Sequence, residues 1–154
     1  MSEEFIGELR SAARYTVPEI IETMFFSEVA EVDSMPCQDP CWNISMRFRG
    51  TPSGRFHLRL ERGLAAELAG SFLGDFSQEI GAEREKSVAC ELANMVCGSI
   101  LSRAESDTGF ELSSPEPVEG SDSFVPEYRS VFVSETGGVI ELAFGELGDG
   151  AGSW

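Results

Sequence analysis

Basic residues are scarce in this chain, whereas acidic residues are abundant. Among its 154 residues, 27 Asp and Glu stand against 11 Lys and Arg, which gives a net charge of −16. Binding to nucleic acid requires cations that neutralise phosphate groups, so this charge excludes a nucleic-acid-binding protein. Anionic membrane surfaces repel such a chain for the same reason, and we expect no membrane partner.

Long apolar runs are missing, and histidine is nearly absent. No run approaches the roughly 20 apolar residues of a membrane-spanning helix. The N-terminus is acidic, whereas a secretory signal begins with basic residues followed by an apolar stretch. We therefore expect a cytoplasmic protein. His57 is the only histidine, too isolated to predict a catalytic base, and we expect no metal or cofactor bound by the chain itself.

The four cysteines leave a redox or metal site open as an alternative. Cys90 and Cys97 lie seven residues apart in a predicted helix, too far apart to share one tetrahedral site unless loop residues join them. Cys37 and Cys41 lie in a Pro-containing loop and are the better candidates. We expect reduced, partly buried thiols, with a Cys37–Cys41 disulfide as the other outcome.

The length and the apolar periodicity predict one α+β domain over residues 1–146, followed by a flexible Gly-rich tail over 147–154. Apolar residues recur at helical spacing over residues 3–26, 63–73 and 83–104, and at the spacing of strands over 42–49, 55–61, 110–112, 129–134 and 139–144. We expect an antiparallel sheet with the long helices packed on one face.

The first helical segment is either one long helix or two abutting helices. Thr16 and Glu19 have the spacing of a capping box, and Pro18 would then lie in the first turn of a second helix. The pattern leaves both alternatives open: one helix that runs through Pro18, or a second helix that starts at Thr16.

The central helix, residues 83–104, has two different sides. Stepping about 100° per residue places its apolar side chains on one side: Val88, Ala89, Leu92, Ala93, Val96 and Ile100. A line of Ser87, Glu91, Asn94 and Gly98 falls on the opposite side and is expected to face outward. A solvated polar face would explain this line. The same line of residues would also suit the docking of another molecule. Its carboxylate supplies a negative charge, its amide can orient a water molecule, and its glycine permits close approach.

The spacing between this line and a distant proline is a more specific indication of function than the line alone. Ser87, Glu91 and Asn94, followed after twenty-two residues by Pro117, resemble the signature of the CheC/CheX/FliY family of chemotaxis phosphatases. The segment ELANMVCGSI is similar to their active-site helix. Because this match occurs once, the resemblance is to the CheX type, and it implies a CheX-like phosphatase domain over residues 1–146. In the family the first position is Asp or Ser.

The resemblance implies a function in two-component signalling. The substrate would be the phosphoaspartate of a CheY-like response-regulator receiver domain, which would itself supply Mg²⁺ and a lysine. Asn94 would orient the attacking water, and Glu91 would pair with the receiver's lysine. Ser87 and Pro117 would shape the docking surface. Beyond the resemblance, we expect Gly98 to leave room for the partner to approach closely.

The resemblance also raises two further expectations. Glu19 and Glu22 have the spacing of Glu91 and Asn94, so they are either the vestige of a second site or an ordinary acidic helix edge. Members of the CheX type form dimers through their sheets, so the resemblance leaves a homodimer of this chain, paired through an edge strand, as a possibility.

Three alternatives to a phosphatase remain at this level. A non-catalytic adaptor would bind receivers through the same helix without hydrolysing the phosphoryl group. A switch-type protein would assemble through a sheet edge, as flagellar relatives do. A redox or metal protein would use Cys37 and Cys41.

Overall fold

The α+β fold predicted from the sequence is confirmed. A computed structural model describes residues 1–73, 80–105, 107, 109–119 and 125–146, so the predicted tail at 147–154 lies outside the described residues. The helices and strands are α1 Glu3–Phe25, β1 Val29–Val32, β2 Cys41–Arg49, β3 Gly54–Glu61, α2 Arg62–Leu73, α3 Ala82–Ala104, β4 Glu111–Leu112, β5 Glu116–Pro117, β6 Tyr128–Ser134 and β7 Val139–Glu146.

The strands form one antiparallel sheet in the order β1-β6-β7-β3-β2-β4, and β5 also pairs with β2. Alternate side chains of the sheet point toward the helices, which sets the core between the sheet and α1 and α3. The buried residues of the predicted β2–β3 hairpin are Ile44, Met46, Phe48, Phe56, Leu58 and Leu60. The helices thus cover one face of the sheet, as expected.

Of the two alternatives for the first helical segment, the structure has the single long helix, and the capping pattern at Thr16 does not start a second one. α1 runs unbroken from Glu3 to Phe25, with Pro18 inside it, and Thr16 is buried. Its actual N-cap is Ser2, whose Oγ accepts a hydrogen bond from Phe5 N at 3.1 Å. The apolar positions 13, 17 and 21 continue one buried stripe across the proline, and packing of that stripe holds the two halves together.

Two short strands have no sequence-based prediction. β1 follows α1 and pairs with β6, with Val32 opposite Val131. β5 contains only Glu116 and Pro117, and it lies in a segment whose composition predicts a loop. Within the described ranges, no helix combines the length and the apolar character needed to span a bilayer.

Candidate functional site

The outer side of α3 carries the polar line predicted from the sequence. Ser87, Glu91 and Asn94 are exposed, and Gly98 is half-buried. The opposite side packs into the core through Ala89, Leu92, Ala93, Val96, Cys97, Ile100 and Leu101. Because Glu91 and Asn94 are three residues apart on one helix, their side chains are neighbours on its surface.

An open cavity of about 620 Å³ lies against this face. α3 contributes one wall, which consists of Lys86, Ser87, Cys90, Glu91 and Asn94. The chain between β4 and β5 contributes the other wall, which consists of Leu112, Ser113, Ser114, Pro115 and Pro117. The fold therefore brings Ser87, Glu91, Asn94 and Pro117 to one surface, although twenty-two residues separate Asn94 from Pro117 in sequence.

Pairing with β2 carries Pro117 to the cavity. Pro117 lies opposite Ile44 in the antiparallel β2–β5 register, and Val118 N donates to Asn43 O at 2.8 Å. The other end of the wall is tied by Ser113, whose N donates to Arg47 O at 2.9 Å. Ser113 Oγ accepts from Arg47 N at 2.7 Å. The wall is therefore fixed to the sheet at both ends.

The first turn of α3 is anchored by a buried carboxylate. Glu85, 7% exposed, accepts hydrogen bonds at Oε1 from Arg62 Nε at 2.8 Å and from Trp42 Nε1 at 3.1 Å. The guanidinium of Arg62 also stacks 5.0 Å from the centroid of the Trp42 ring. The hydrogen bond to Glu85 raises the pKa of Arg62 above its ordinary value. These contacts fix the helix end that presents Ser87.

The cavity contains residues that the sequence did not indicate. Lys86 is the only lysine of the chain, and its Nζ lies 3.2 Å from Glu83 Oε1. Cys90 lies one turn beyond Lys86; burial raises the pKa of its thiol, and the charge of Lys86 opposes that rise. The signal for both was helical spacing, since positions 86 and 90 flank the polar line. Ser113 and Ser114 begin the loop that carries Pro117, which was expected to pass near α3, but the sequence does not single out these two residues as lining the cavity.

Gly98 lies next to the side chain of Leu112 in β4. A methyl group added there would meet Leu112 Cδ1 at 3.5 Å, an ordinary van der Waals contact. Gly98 does not line the cavity. Its role as a clearance position for a partner therefore stays a prediction.

Glu19 and Glu22 lie on α1 and do not line the cavity either. Both side chains are exposed, and Glu19 Oε2 lies 3.6 Å from Arg103 Nη2. The guanidinium of Arg103 in turn lies 4.2 Å from the centroid of the Tyr15 ring. A partner approaching α1 at this point would meet an ion pair, whereas α3 presents a carboxylate beside a carboxamide.

A larger cavity of about 830 Å³ lies on the sheet face away from the helices. Its cations are compensated by carboxylates: Arg59 Nη2 lies 2.9 Å from Asp39 Oδ1, and Arg129 Nε lies 3.3 Å from Glu141 Oε1. We place the candidate site at the smaller cavity, because it gathers exposed polar groups on a rigid helix.

The α3 cavity is suited to positioning another molecule's reactive group. Glu91 offers a fixed negative charge at the surface, and Asn94 offers two hydrogen-bond donors and one acceptor. An amide is not a general base, so Asn94 can orient a water molecule or an oxygen atom but cannot remove a proton. Asn94 therefore suits a reaction in which the docked molecule already carries an activated group.

The comparisons identify the family of the chain and structures that share its fold. The family described as chemotaxis phosphatase CheX matches residues 43–134. No curated protein matches the chain significantly. Among solved structures, chemotaxis protein CheX from Vibrio vulnificus is 21% identical, with 94% of this chain and 97% of that one covered at a TM-score of 0.64.

Two further structures share the fold. In the CheX–CheY–BeF₃–Mg²⁺ complex from Borrelia burgdorferi, the matching chain is 16% identical at a TM-score of 0.64, with 92% of this chain and 98% of that one covered. FliY from Thermotoga maritima is 14% identical at a TM-score of 0.62, with 93% of this chain and 91% of that one covered. The family match includes Asn43 in β2, the whole of α3 and Pro117, and so spans the walls of the cavity. The chain belongs to the CheX family of chemotaxis phosphatases.

Proposed function

We propose that this protein hydrolyses the phosphoaspartate of a CheY-like receiver domain, which docks on the α3 cavity. The observation that carries the proposal is the exposed pair of Glu91 and Asn94, one turn apart and facing Pro117 across one cavity. The proposal keeps the cytoplasmic location expected from the sequence, where the protein would act in two-component signalling.

Asn94 is assigned the orientation of the attacking water. An acyl phosphate is already activated, so a positioned water contributes through alignment with the phosphorus and needs no added base. Asn94 is exposed on a helix whose other side is buried, so its backbone is held in place. The preceding turn of the helix also excludes one of the χ1 rotamers of its side chain. Its amide can hold a water in one orientation.

Glu91 is assigned the pairing with the receiver's lysine, which fixes the docking register. The receiver would also carry Mg²⁺, so this chain needs no metal of its own for the reaction. Ser87 and Pro117 border the same cavity and would contact the receiver around the phosphorylated residue. The CheX–CheY complex from Borrelia burgdorferi supports the choice of a receiver as partner.

The decisive experiment measures the decay of a phosphorylated receiver with the wild-type protein and with Asn94→Ala. We expect Asn94→Ala to slow the catalysed decay by about 100-fold, the cost of removing one positioning group, while binding persists. Ser102→Ala is a matched control, because Ser102 is also exposed on α3 but does not line the cavity. It should leave the decay unchanged.

Glu91→Gln separates binding from chemistry. The neutral isostere keeps the shape and removes the charge, so we expect the receiver's dissociation constant to rise by about tenfold. If neither wild type nor variants accelerate decay but all bind the phosphorylated receiver, the protein is an adaptor. A stable complex with other assembly components that tolerates Asn94→Ala would instead favour a switch-type protein.

A further inference from the structure

Two thiols lie side by side on the sheet face opposite α3. Cys37 Sγ and Cys41 Sγ are 3.5 Å apart, and Cys37 is buried. Cys37 Sγ also lies 3.9 Å from Arg59 O and 3.8 Å from Val139 O, and Cys41 Sγ donates to Gln38 O at 3.0 Å. A disulfide needs a sulfur separation of about 2.05 Å, so the two sulfurs must approach each other by about 1.5 Å to bond.

The loop that carries these thiols is held against the sheet. Gln38 N donates to Glu61 Oε2 at 2.8 Å, and Arg62 N donates to Pro40 O at 3.0 Å. Arg59 Nη2 donates to Asp39 Oδ1 at 2.9 Å. The segment between the two cysteines, residues 38–40, is therefore fixed against β3 and the start of α2.

The pair has a small apolar cluster of its own, apart from the main core. Cys37 packs with Val131 and Val139, and Cys41 lies at the edge of the same cluster. In the part of the chain that the structure describes, no group of three or more His, Cys, Asp or Glu side chains is placed to hold a metal ion. The neighbour best placed to react with either sulfur is the other sulfur.

We propose that Cys37 and Cys41 form a reversible intramolecular disulfide with a small-molecule disulfide such as glutathione disulfide as oxidant. Cys41, the less buried thiol, attacks glutathione disulfide, forms a mixed disulfide and releases one glutathione. Cys37 then attacks the Cys41 sulfur and releases the second glutathione. Two protein thiols lose two hydrogens, and one glutathione disulfide is reduced to two glutathione molecules.

The surroundings of Cys37 and Cys41 determine how fast the two thiols are oxidised. Burial raises the pKa of both thiols above the ordinary value, and the charge of Arg59 opposes that rise. Glu61 faces Cys37 and Asp39 faces Cys41, and both carboxylates raise the thiol pKa further. Because only the thiolate attacks, oxidation is slow at neutral pH and should speed up about tenfold per pH unit below the thiol pKa.

The test equilibrates the full chain with glutathione and glutathione disulfide in varied ratios, followed by acid quenching, alkylation and digestion without reduction. We expect a linked Cys37–Cys41 peptide, a mass loss of two hydrogens in the intact chain, and Cys90 and Cys97 still alkylated. Cys90→Ala should leave the linked peptide unchanged, and Cys41→Ala should abolish it.

Either of two results would overturn the inference: both thiols alkylated at every ratio in wild type, or a glutathione adduct on Cys41 that persists without loop linkage. The wild-type measurement decides this even where a variant folds poorly. Neither sulfur lines the α3 cavity, so the result is independent of the phosphatase assay.

Discussion

Arg62 Nε donates a 2.8 Å hydrogen bond to Glu85 Oε1 and thereby ties the start of α2 to the first turn of α3. Trp42 Nε1 donates to the same oxygen, so one buried carboxylate joins β2, α2 and α3. The exposed polar line of α3 begins two residues later, at Ser87. The orientation of the candidate site therefore depends on a contact outside it.

Glu85→Ala should destabilise the protein, because it leaves the indole N–H and the guanidinium without their acceptor. We expect unfolding at a clearly lower denaturant concentration than for wild type. Glu83→Ala is the matched control, since Glu83 lies on the same turn and its exposed side chain forms an ion pair with Lys86. Equal midpoints for the two variants would contradict the anchoring role of Glu85.

Gly98→Ala should stabilise the protein by about 0.5–1 kcal/mol, since a helix-interior glycine costs that much relative to alanine. The added methyl meets only Leu112 Cδ1 at 3.5 Å. Gly7→Ala in α1 is the control, because nothing lies within 4 Å of its added methyl. If Gly98 provides clearance for a receiver, Gly98→Ala alone weakens binding while both variants gain stability. Unchanged binding would remove Gly98 from the docking surface.

Moderate salt should strengthen association with an acidic receiver. The net charge of −16 repels such a partner at long range, and salt shortens the screening length from roughly 30 Å at 0.01 M to roughly 8 Å at 0.15 M. Association rates measured by stopped flow should rise over this range. A steady fall in affinity as salt is added would show that local ion pairs, such as the one assigned to Glu91, outweigh the overall repulsion.

Alkaline pH should destabilise the fold through Cys97. Burial raises the pKa of this thiol, whereas the unfolded chain ionises it near its ordinary pKa of about 8.5. The stabilising contribution is therefore complete below that pH, and above it the free energy of unfolding falls by about 1.4 kcal/mol per pH unit. Denaturant unfolding from pH 7 to 10 under reducing conditions should show a shallower fall for Cys97→Ala. Parallel curves would rule this contribution out.

The central helix and its outward line were predictable because helical geometry alone relates their positions. Spacings of three and four residues place Ser87, Glu91 and Asn94 together whatever the rest of the chain does. The prediction of a solvent-facing line required only that the other side of the helix be apolar, and this can be read directly from the sequence.

Long-range pairing was less predictable. β5 is two residues long and contains Pro117, so neither alternation nor composition separates it from a loop. The approach of Ser113 to α3 depends on its bonds to Arg47 in β2, a residue distant in sequence. At Thr16 a local capping pattern was overridden by packing, since one buried stripe runs through Pro18.

The two short strands at the border of the sheet have a consequence for self-assembly. β4 and β5 both occupy the free side of β2, which leaves that strand without the continuous row of backbone groups that another chain would need for pairing. Among the described strands, the opposite margin is β1, only four residues long. Val29–Val32 is therefore the longer of the free strand edges that a second copy could pair with, and a proline substitution there would hinder such pairing without changing α3.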